Sequence, residues 1–343
     1  MIHVAMFDTK PYDREAFEQA AGADLSVSYY DTRLDSTTVG LAQGADCVVV
    51  FVNDRLDRET IDALAGYGVR LIALRCAGFN NVDVEAAFGR IHIVRVPAYS
   101  PHAVAEHTMA MLLTSVRRIH KAYNRTREYN FSLSGLTGFD LYGKTAGVVG
   151  AGKIGRAFIE ICKGFGMRVL AYDKFPAEGV PAEFVTLDRL FAESDVISLH
   201  CPLTDENYHL ISRESIAGMK PGVVLLNTSR GALVDAEALV EGLLSKQVGA
   251  ACLDVYEEES DLFFTDKSGH MLRDDILARL LSMPNVLVTS HQAFLTREAL
   301  ANIAGTTAEN IRAFFAGETI ENEVCYHCGA MEECRKKRKG KCF

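Results

Sequence analysis

Short apolar runs of four to six residues alternate with amphipathic stretches of helical length along most of the chain, a pattern of buried parallel strands joined by helices. In the first part the strand-like runs are His3–Phe7, Val27–Tyr30, Cys47–Val52, Leu71–Leu74 and His92–Val96, with helical patterns such as Asp13–Ala21 and Arg58–Ala65 between them. A long stretch from Pro101 to Arg127 follows, opened by Ser100-Pro101, an N-cap residue and a proline at the first helical position. Its Val104, Met111, Leu112, Ser115 and Ile119 recur at helical spacing, and so long a connector is expected to join domains or form a subunit contact. A second, more regular series contains Thr145–Val149, Arg168–Tyr172, Val196–His200, Val223–Asn227, Gly249–Leu253 and Val286–Thr289. Thr296–Ala316 then reads as one helix expected to return to the first domain. The pattern predicts an α/β protein with two doubly wound parallel sheets. Residues 1–100 and 297–324 are expected to form one discontinuous domain, 101–296 a second, and 325–343 a tail.

A chain of 343 residues exceeds one ordinary domain, and 48% hydrophobic with 24% charged residues is the composition of a soluble globular protein. No apolar run approaches the roughly 18 residues that span a bilayer. The start, Met1 to Lys10, lacks a basic segment followed by an apolar one, so it reads as a first strand and the expected location is cytoplasmic. A formal charge of −9 argues against general nucleic-acid binding and provides no field for an anionic substrate, so any anion site must be built locally. Cys47, Cys76, Cys162, Cys201 and Cys252 sit in apolar segments, as small buried thiols do in a reducing compartment.

Gly150-Ala151-Gly152-Lys153-Ile154-Gly155 is a G-x-G-x-x-G run, which alone is a weak signal. Here it follows an apolar strand, opens a helical stretch, and precedes a second strand ending at Asp173, eighteen residues after the third glycine. That context makes it a dinucleotide fingerprint. Gly150 allows the tight turn, Gly152 a close approach to pyrophosphate, and Gly155 close helix–strand packing, with the pyrophosphate on a helix N-terminus. Asp173 is placed to accept hydrogen bonds from ribose hydroxyls and to repel a 2′-phosphate, which favours NAD; the adjacent Lys174 works the other way. The competing reading is a structural glycine turn in an unrelated α/β unit.

Ligands of open α/β sheets bind beyond the carboxyl ends of the strands. Three polar residues stand there: Arg230 after Val223–Asn227, Glu259 after Gly249–Leu253, and His291 after Val286–Thr289. Behind a dinucleotide motif, a cation, an acid and an imidazole suit reduction of a 2-oxo acid. An arginine fork grips a carboxylate, a histidine gives or takes a proton near neutral pH, and a neighbouring carboxylate favours the imidazolium. Singly, each has a structural explanation: a loop ion pair, a buried satisfied histidine, one charge of a solvated Glu-Glu-Glu run.

The sequence resembles the D-isomer-specific 2-hydroxyacid dehydrogenases over about residues 1–324. The resemblance is carried by Arg75–Asp83, Val96–His107, Gly150–Gly155, His200–Leu203, Asn227–Gly231, Asp254–Glu259 and His291–Phe294. Gly135–Phe139, Asp261–Phe264 and His291–Thr296 are most similar to its fermentative, D-lactate-forming members. What the resemblance implies is a flavodoxin-like substrate domain, a Rossmann NAD-binding domain and a cleft that closes over the ligands. It implies reversible NADH-dependent reduction of pyruvate, with Arg230 binding and polarising the substrate, His291 as acid/base and Glu259 as its partner. The amides of Ala77 and Gly78 would hold the substrate carboxylate, and Tyr99 and Phe294 would flank its side chain. Lys153, Ile154, His200, Cys201, Thr228, Ser229 and Asp254 match positions that line the cofactor. A homo-oligomer, dimer or tetramer, is expected, with neither nucleic acid nor membrane as partner. Two alternatives remain open: a reductase of larger branched or aromatic 2-oxo acids, and an NAD(H)-sensing protein resembling dehydrogenase-derived corepressors.

The tail departs from the family. Cys325, Cys328, Cys334 and Cys342, with His327, have the residue types of a zinc site, yet the second pair is not C-x-x-C. The basic run from Arg335 to Lys341 disfavours ordered packing, so a solvated tail without metal is expected.

Overall fold

A computed structural model describes residues 1–259, 262–324 and 342–343. The chain divides into two compact units, Met1–Ser100 with Leu295–Phe343, and Pro101–Phe294.

In the first unit five strands run parallel: β1 (Ile2–Met6), β2 (Leu25–Tyr29), β3 (Cys47–Val50), β4 (Leu71–Leu74) and β5 (His92–Arg95). Their order across the sheet is β5-β4-β3-β1-β2. Every residue of β3 and β4 is buried, which is why these strands read as unbroken apolar runs rather than alternating ones.

The second unit carries a seven-stranded sheet of β6 (Thr145–Val149), β7 (Arg168–Tyr172), β8 (Glu183–Phe184), β9 (Val196–Leu199), β10 (Val223–Asn227), β11 (Val248–Leu253) and β12 (Val286–Val288). Its order is β12-β11-β10-β9-β6-β7-β8, and all pairs are parallel. The strand order reverses at β6, so the loop after β6 lies at the switch point where such sheets bind ligands. The helix Lys153–Gly164 packs Phe158, Ile159 and Cys162 into a core shared with Met109, Leu112 and Val116. Burying each such large apolar side chain contributes about 1.5–3 kcal/mol.

The Pro101–Arg127 stretch is two helices, Pro101–Val116 and Ile119–Arg127, separated at Arg118, whose φ is +54°. Val104, Met111, Leu112 and Ser115 are buried as their spacing predicts. Ile119, past the break, is 52% exposed, because the second helix buries none of its residues. Periodicity carried across a left-handed residue no longer marks one face.

The helix Arg297–Ala316 starts at Thr296, whose hydroxyl accepts the Ala299 amide at 3.2 Å, and stops at Gly317 with φ +77°. It packs Ala304, Ala308, Ile311 and Phe314 against Phe17 and Ala21 of the first unit. Two-residue β13 (Glu323–Val324) then pairs antiparallel with β5 and completes a six-stranded sheet. Such short strands as β8 and β13 have no periodicity to detect.

Of the tail, Cys325, His327, Cys328 and Cys334 lie outside the described residues. Cys342 and Phe343 are docked, contrary to the expectation of a solvated end. Cys342 is 4% exposed, its amide donates to Glu323 Oε2 at 2.8 Å, and the Phe343 ring stacks on His92 with centroids 4.0 Å apart. Among the described residues no helix is long and apolar enough to cross a membrane.

Candidate active site

The glycine turn after β6 is shaped by contacts that exclude a side chain. Gly150 has φ +95°, and a Cβ there would meet His200 and Cys201 backbone at 2.7 Å. A Cβ on Gly155 would stand 1.9 Å from Gly150 O, so the helix start rests directly on the strand end. A Cβ on Gly152, by contrast, would meet nothing within 4 Å. Gly152 is the N-cap of Lys153–Gly164 and supplies no side-chain cap, which leaves the first-turn N–H groups of Lys153, Ile154 and Gly155 without an intrahelical partner. Those donors and the helix dipole fit a pyrophosphate.

Asp173, at the end of β7, accepts the Ala151 amide on Oδ2 at 2.7 Å and the Phe175 amide on Oδ1 at 2.8 Å. It therefore braces the glycine turn, and each oxygen keeps a lone pair for a ribose hydroxyl. Tyr172, Asp173, Phe184, Val185, Thr186 and Arg189 line an open hollow of about 450 Å³ beside it. Lys174 is drawn off to Glu206 at 2.6 Å.

The other residues expected to line a cofactor lie on strands neighbouring the turn. His200 bonds Ser198 Oγ through Nε2 at 2.8 Å and lies against Phe158; burial pushes its pKa down to about 3, so it is neutral. Burial likewise pushes the Cys201 thiol up to about 11. Ser229 Oγ donates to Cys201 O at 2.6 Å, and Thr228 Oγ1 pairs with Thr108 Oγ1 at 2.8 Å.

Arg230 stands in a loop held by Asn227, whose Nδ2 donates to Arg230 O at 2.8 Å and whose Oδ1 accepts the Ser229 amide at 3.1 Å. The side chain is half-buried, and Nη1 donates to Ser229 O at 2.7 Å. Among the described residues no carboxylate lies within ion-pair distance of it. Beside it Gly231 packs on Tyr256, where a Cβ would stand 2.1 Å from the carbonyl.

His291 and Glu259 meet directly, Nδ1 to Oε1 at 2.8 Å, each about one-fifth exposed. Glu259 Oε2 accepts the Tyr256 amide at 3.0 Å. With Nδ1 engaged, Nε2 is the nitrogen left for a ligand. His291 has φ +53°, a left-handed backbone that a residue with a Cβ adopts at a cost.

Asp254 holds that turn. Its Oδ1 accepts Thr289 Oγ1 at 2.6 Å and the Gln292 amide at 2.9 Å, its Oδ2 the Ala293 amide at 2.9 Å, and its carbonyl the His291 amide at 2.7 Å. His107 Nε2 lies 3.5 Å from Oδ1. Burial works to raise its pKa, but hydrogen bonds from His107, Thr289 and the two amides outweigh it and hold the carboxyl below its usual range. The family resemblance implies a cofactor-lining place for Asp254 but not this anchoring part, and implies no part for His107 or Thr289. Their only signal was position, since nothing local to residue 254 shows that it faces 289–293.

In the first unit Ala77 and Gly78 follow β4. Arg95 Nη1 donates to Ala77 O at 2.8 Å and Cys76 Sγ to Gly78 O at 3.2 Å, which fixes the loop by its carbonyls. Among the described residues neither the Ala77 nor the Gly78 N–H has an acceptor. Tyr99 is half-buried and its carbonyl accepts Asn302 Nδ2 at 2.6 Å. Phe294, in the second unit, is 7% exposed.

Residues 109–293 match the family described as D-isomer specific 2-hydroxyacid dehydrogenase, NAD binding domain. The chain belongs to the D-isomer specific 2-hydroxyacid dehydrogenase family. It is 51% identical over 329 residues to D-lactate dehydrogenase of Escherichia coli (strain K12), covering 94% of this chain and 100% of that protein. A 2-hydroxyacid dehydrogenase homolog of Haemophilus influenzae is 52% identical over 329 residues, with 94% and 99% covered. The solved apo-structure of D-lactate dehydrogenase from Escherichia coli superposes with TM-score 0.87 at 49% identity, covering 94% of this chain and 100% of that one. Membership in this dehydrogenase family makes the second unit an NAD-binding Rossmann domain, as the glycine spacing predicts, and NAD the cofactor that its turn fits.

Proposed function

We propose that this chain is a D-lactate dehydrogenase, reducing pyruvate to D-lactate with NADH and running in reverse with NAD. The observation that carries the chemistry is the His291–Glu259 pair at 2.8 Å, which leaves Nε2 of an oriented imidazole for the substrate oxygen. When bound, the nicotinamide supplies a hydride to the carbonyl carbon. His291 Nε2 gives the proton that converts the carbonyl oxygen to a hydroxyl, and takes it back in lactate oxidation. Glu259 holds the ring through Nδ1 and so fixes which nitrogen faces the substrate.

Arg230, without a carboxylate partner among the described residues, takes the substrate carboxylate and polarises the carbonyl through its fork. The amides of Ala77 and Gly78, without an acceptor among the described residues, are suited to a substrate carboxylate, and Tyr99 and Phe294 to the substrate methyl. Met1–Ser100 with the returning helix is then the substrate domain. Asp173, with Lys174 committed to Glu206, supports NAD over NADP.

Buried thiols at Cys47, Cys76, Cys162 and Cys252 support a reducing cytoplasm. Exposed Tyr123, Tyr129, Phe131, Leu133, Phe139 and Tyr142, all within one stretch, support a homo-oligomer. Light scattering after size exclusion measures its number.

The test is NADH oxidation with pyruvate, NADPH and a panel of longer 2-oxo acids, with chiral analysis of the product. D-lactate formed fastest with NADH is the expected result. Preference for phenylpyruvate or a branched 2-oxo acid, or no turnover at all, refutes the assignment.

A further inference from the structure

Between β9 and β10 a loop reaches a place that the proposed chemistry does not use. His209 has φ +52°, its amide donates to Ala232 O at 2.9 Å, and Ile211 bridges Val234. The loop is thus stapled to the segment immediately after Arg230. From that base two side chains reach one oxygen: His209 Nε2 bonds Glu257 Oε1 at 2.7 Å, and the Tyr208 hydroxyl donates to it at 2.9 Å. The two rings stack with centroids 4.0 Å apart and 21° between planes, and the Asp235 carboxylate stands 4.0 Å from His209 Nδ1.

Glu257 lies in the turn that presents Glu259. Tyr256 N donates back to Glu259 Oε2 at 3.0 Å across that turn, and Gly231 lies against it, where a Cβ would approach Glu257 N to 2.4 Å. One carboxylate therefore ties the turn bearing Glu259 to the segment bearing Arg230. As a stability device this arrangement is poor. A partly exposed imidazole–carboxylate contact contributes little, and the left-handed backbone at His209 costs conformational energy. Strain held at such a point is common where geometry matters for function.

We propose that His209, with Tyr208, is a positioning residue: it grips Glu257 and fixes the turn from which Glu259 orients His291. The Arg230 segment is the rigid base of this latch and the Glu259 turn is the part it holds. The inference rests on the reading of Glu259 and His291 as the acid/base couple.

The test is a double-mutant cycle on the full-length enzyme, with NADH and pyruvate as substrates. His209→Ala is expected to lower kcat on the order of tenfold, as small misplacement of a catalytic group does, with KM for pyruvate and Kd for NADH held within about twofold. His209→Gln, which keeps a neutral donor, should recover most of the loss. In a Glu259→Gln background His209→Ala should cost less than about twofold, because its effect passes through Glu259. An equal loss in both backgrounds, or an unchanged kcat, overturns the proposal. Hydrogen exchange at the Tyr256 amide separates this from failure of the functional reading. It should quicken in His209→Ala whether or not pyruvate is the substrate, and unchanged exchange also overturns the latch.

Discussion

Replacing Asp254 with Asn removes the anchor of the His291 turn while nearly preserving its shape. The carboxylate accepts Thr289 Oγ1 and the Gln292 amide on one oxygen and the Ala293 amide on the other, at 2.6, 2.9 and 2.9 Å. In the amide one of those oxygens becomes a donor and faces a donor, and the remaining bonds lose their charge. A hydrogen bond to a charged group contributes about 1.5–3 kcal/mol. The change should therefore cost on the order of 2–4 kcal/mol. Against it stands the left-handed backbone of His291, at φ +53°, worth about 1–2 kcal/mol of strain. The native anchor outweighs that strain; without it the strain is left unopposed, and the imidazole spends most of its time out of place. Since about 1.36 kcal/mol is tenfold in rate, kcat for pyruvate should fall about 10- to 100-fold. Steady-state NADH oxidation measures this, with NADH affinity from fluorescence as the control for the glycine turn. The pH dependence has a definite sign. The Asp254 pKa is lowered in the folded state, so its stabilisation is present above the unfolded carboxyl pKa of about 4 and is lost as pH falls through the lower folded value. The Tm gap between wild type and Asp254→Asn should be widest near neutrality and close in acid. A variant with kcat within about twofold of wild type, or a gap independent of pH, would refute the reasoning.

Gly155→Ala places a Cβ where Gly150 O stands at 1.9 Å; NADH binding measured by fluorescence should be lost, with the first unit's melting unaffected. Arg230→Lys replaces a planar fork by a point charge, so kcat/KM for pyruvate should fall on the order of 100-fold or more while NADH affinity holds. Deleting Cys342 and Phe343 uncovers His92 and leaves Glu323 Oε2 without the Cys342 amide, so calorimetry should show a lower Tm at unchanged kcat.

The features that the amino-acid order determined by itself are those whose physics is local. Strands buried on both faces must be continuous apolar runs, and β3, β4 and β10 are. A backbone at φ +95° must be glycine or nearly so, and a helix whose first turn rests on Gly150 must carry a residue lacking Cβ at the contact, so the spacing of Gly150, Gly152 and Gly155 carried the cofactor turn. Arg230, Glu259 and His291 were visible as polar residues after strands because chain order alone places them there. What only the tertiary structure decided depends on strand order. That Asp254 meets Thr289, Gln292 and Ala293 follows from β11 lying beside β12. That Glu257 meets His209, 48 residues away, follows from β10 lying between β9 and β11. The left-handed turn at His291 and the docking of Phe343 on His92 have the same origin: neither residue type favours its place, and each is held there by partners distant in sequence. Hydrophobic pattern specifies which residues are buried, and the neighbours they acquire are fixed only when the sheets assemble.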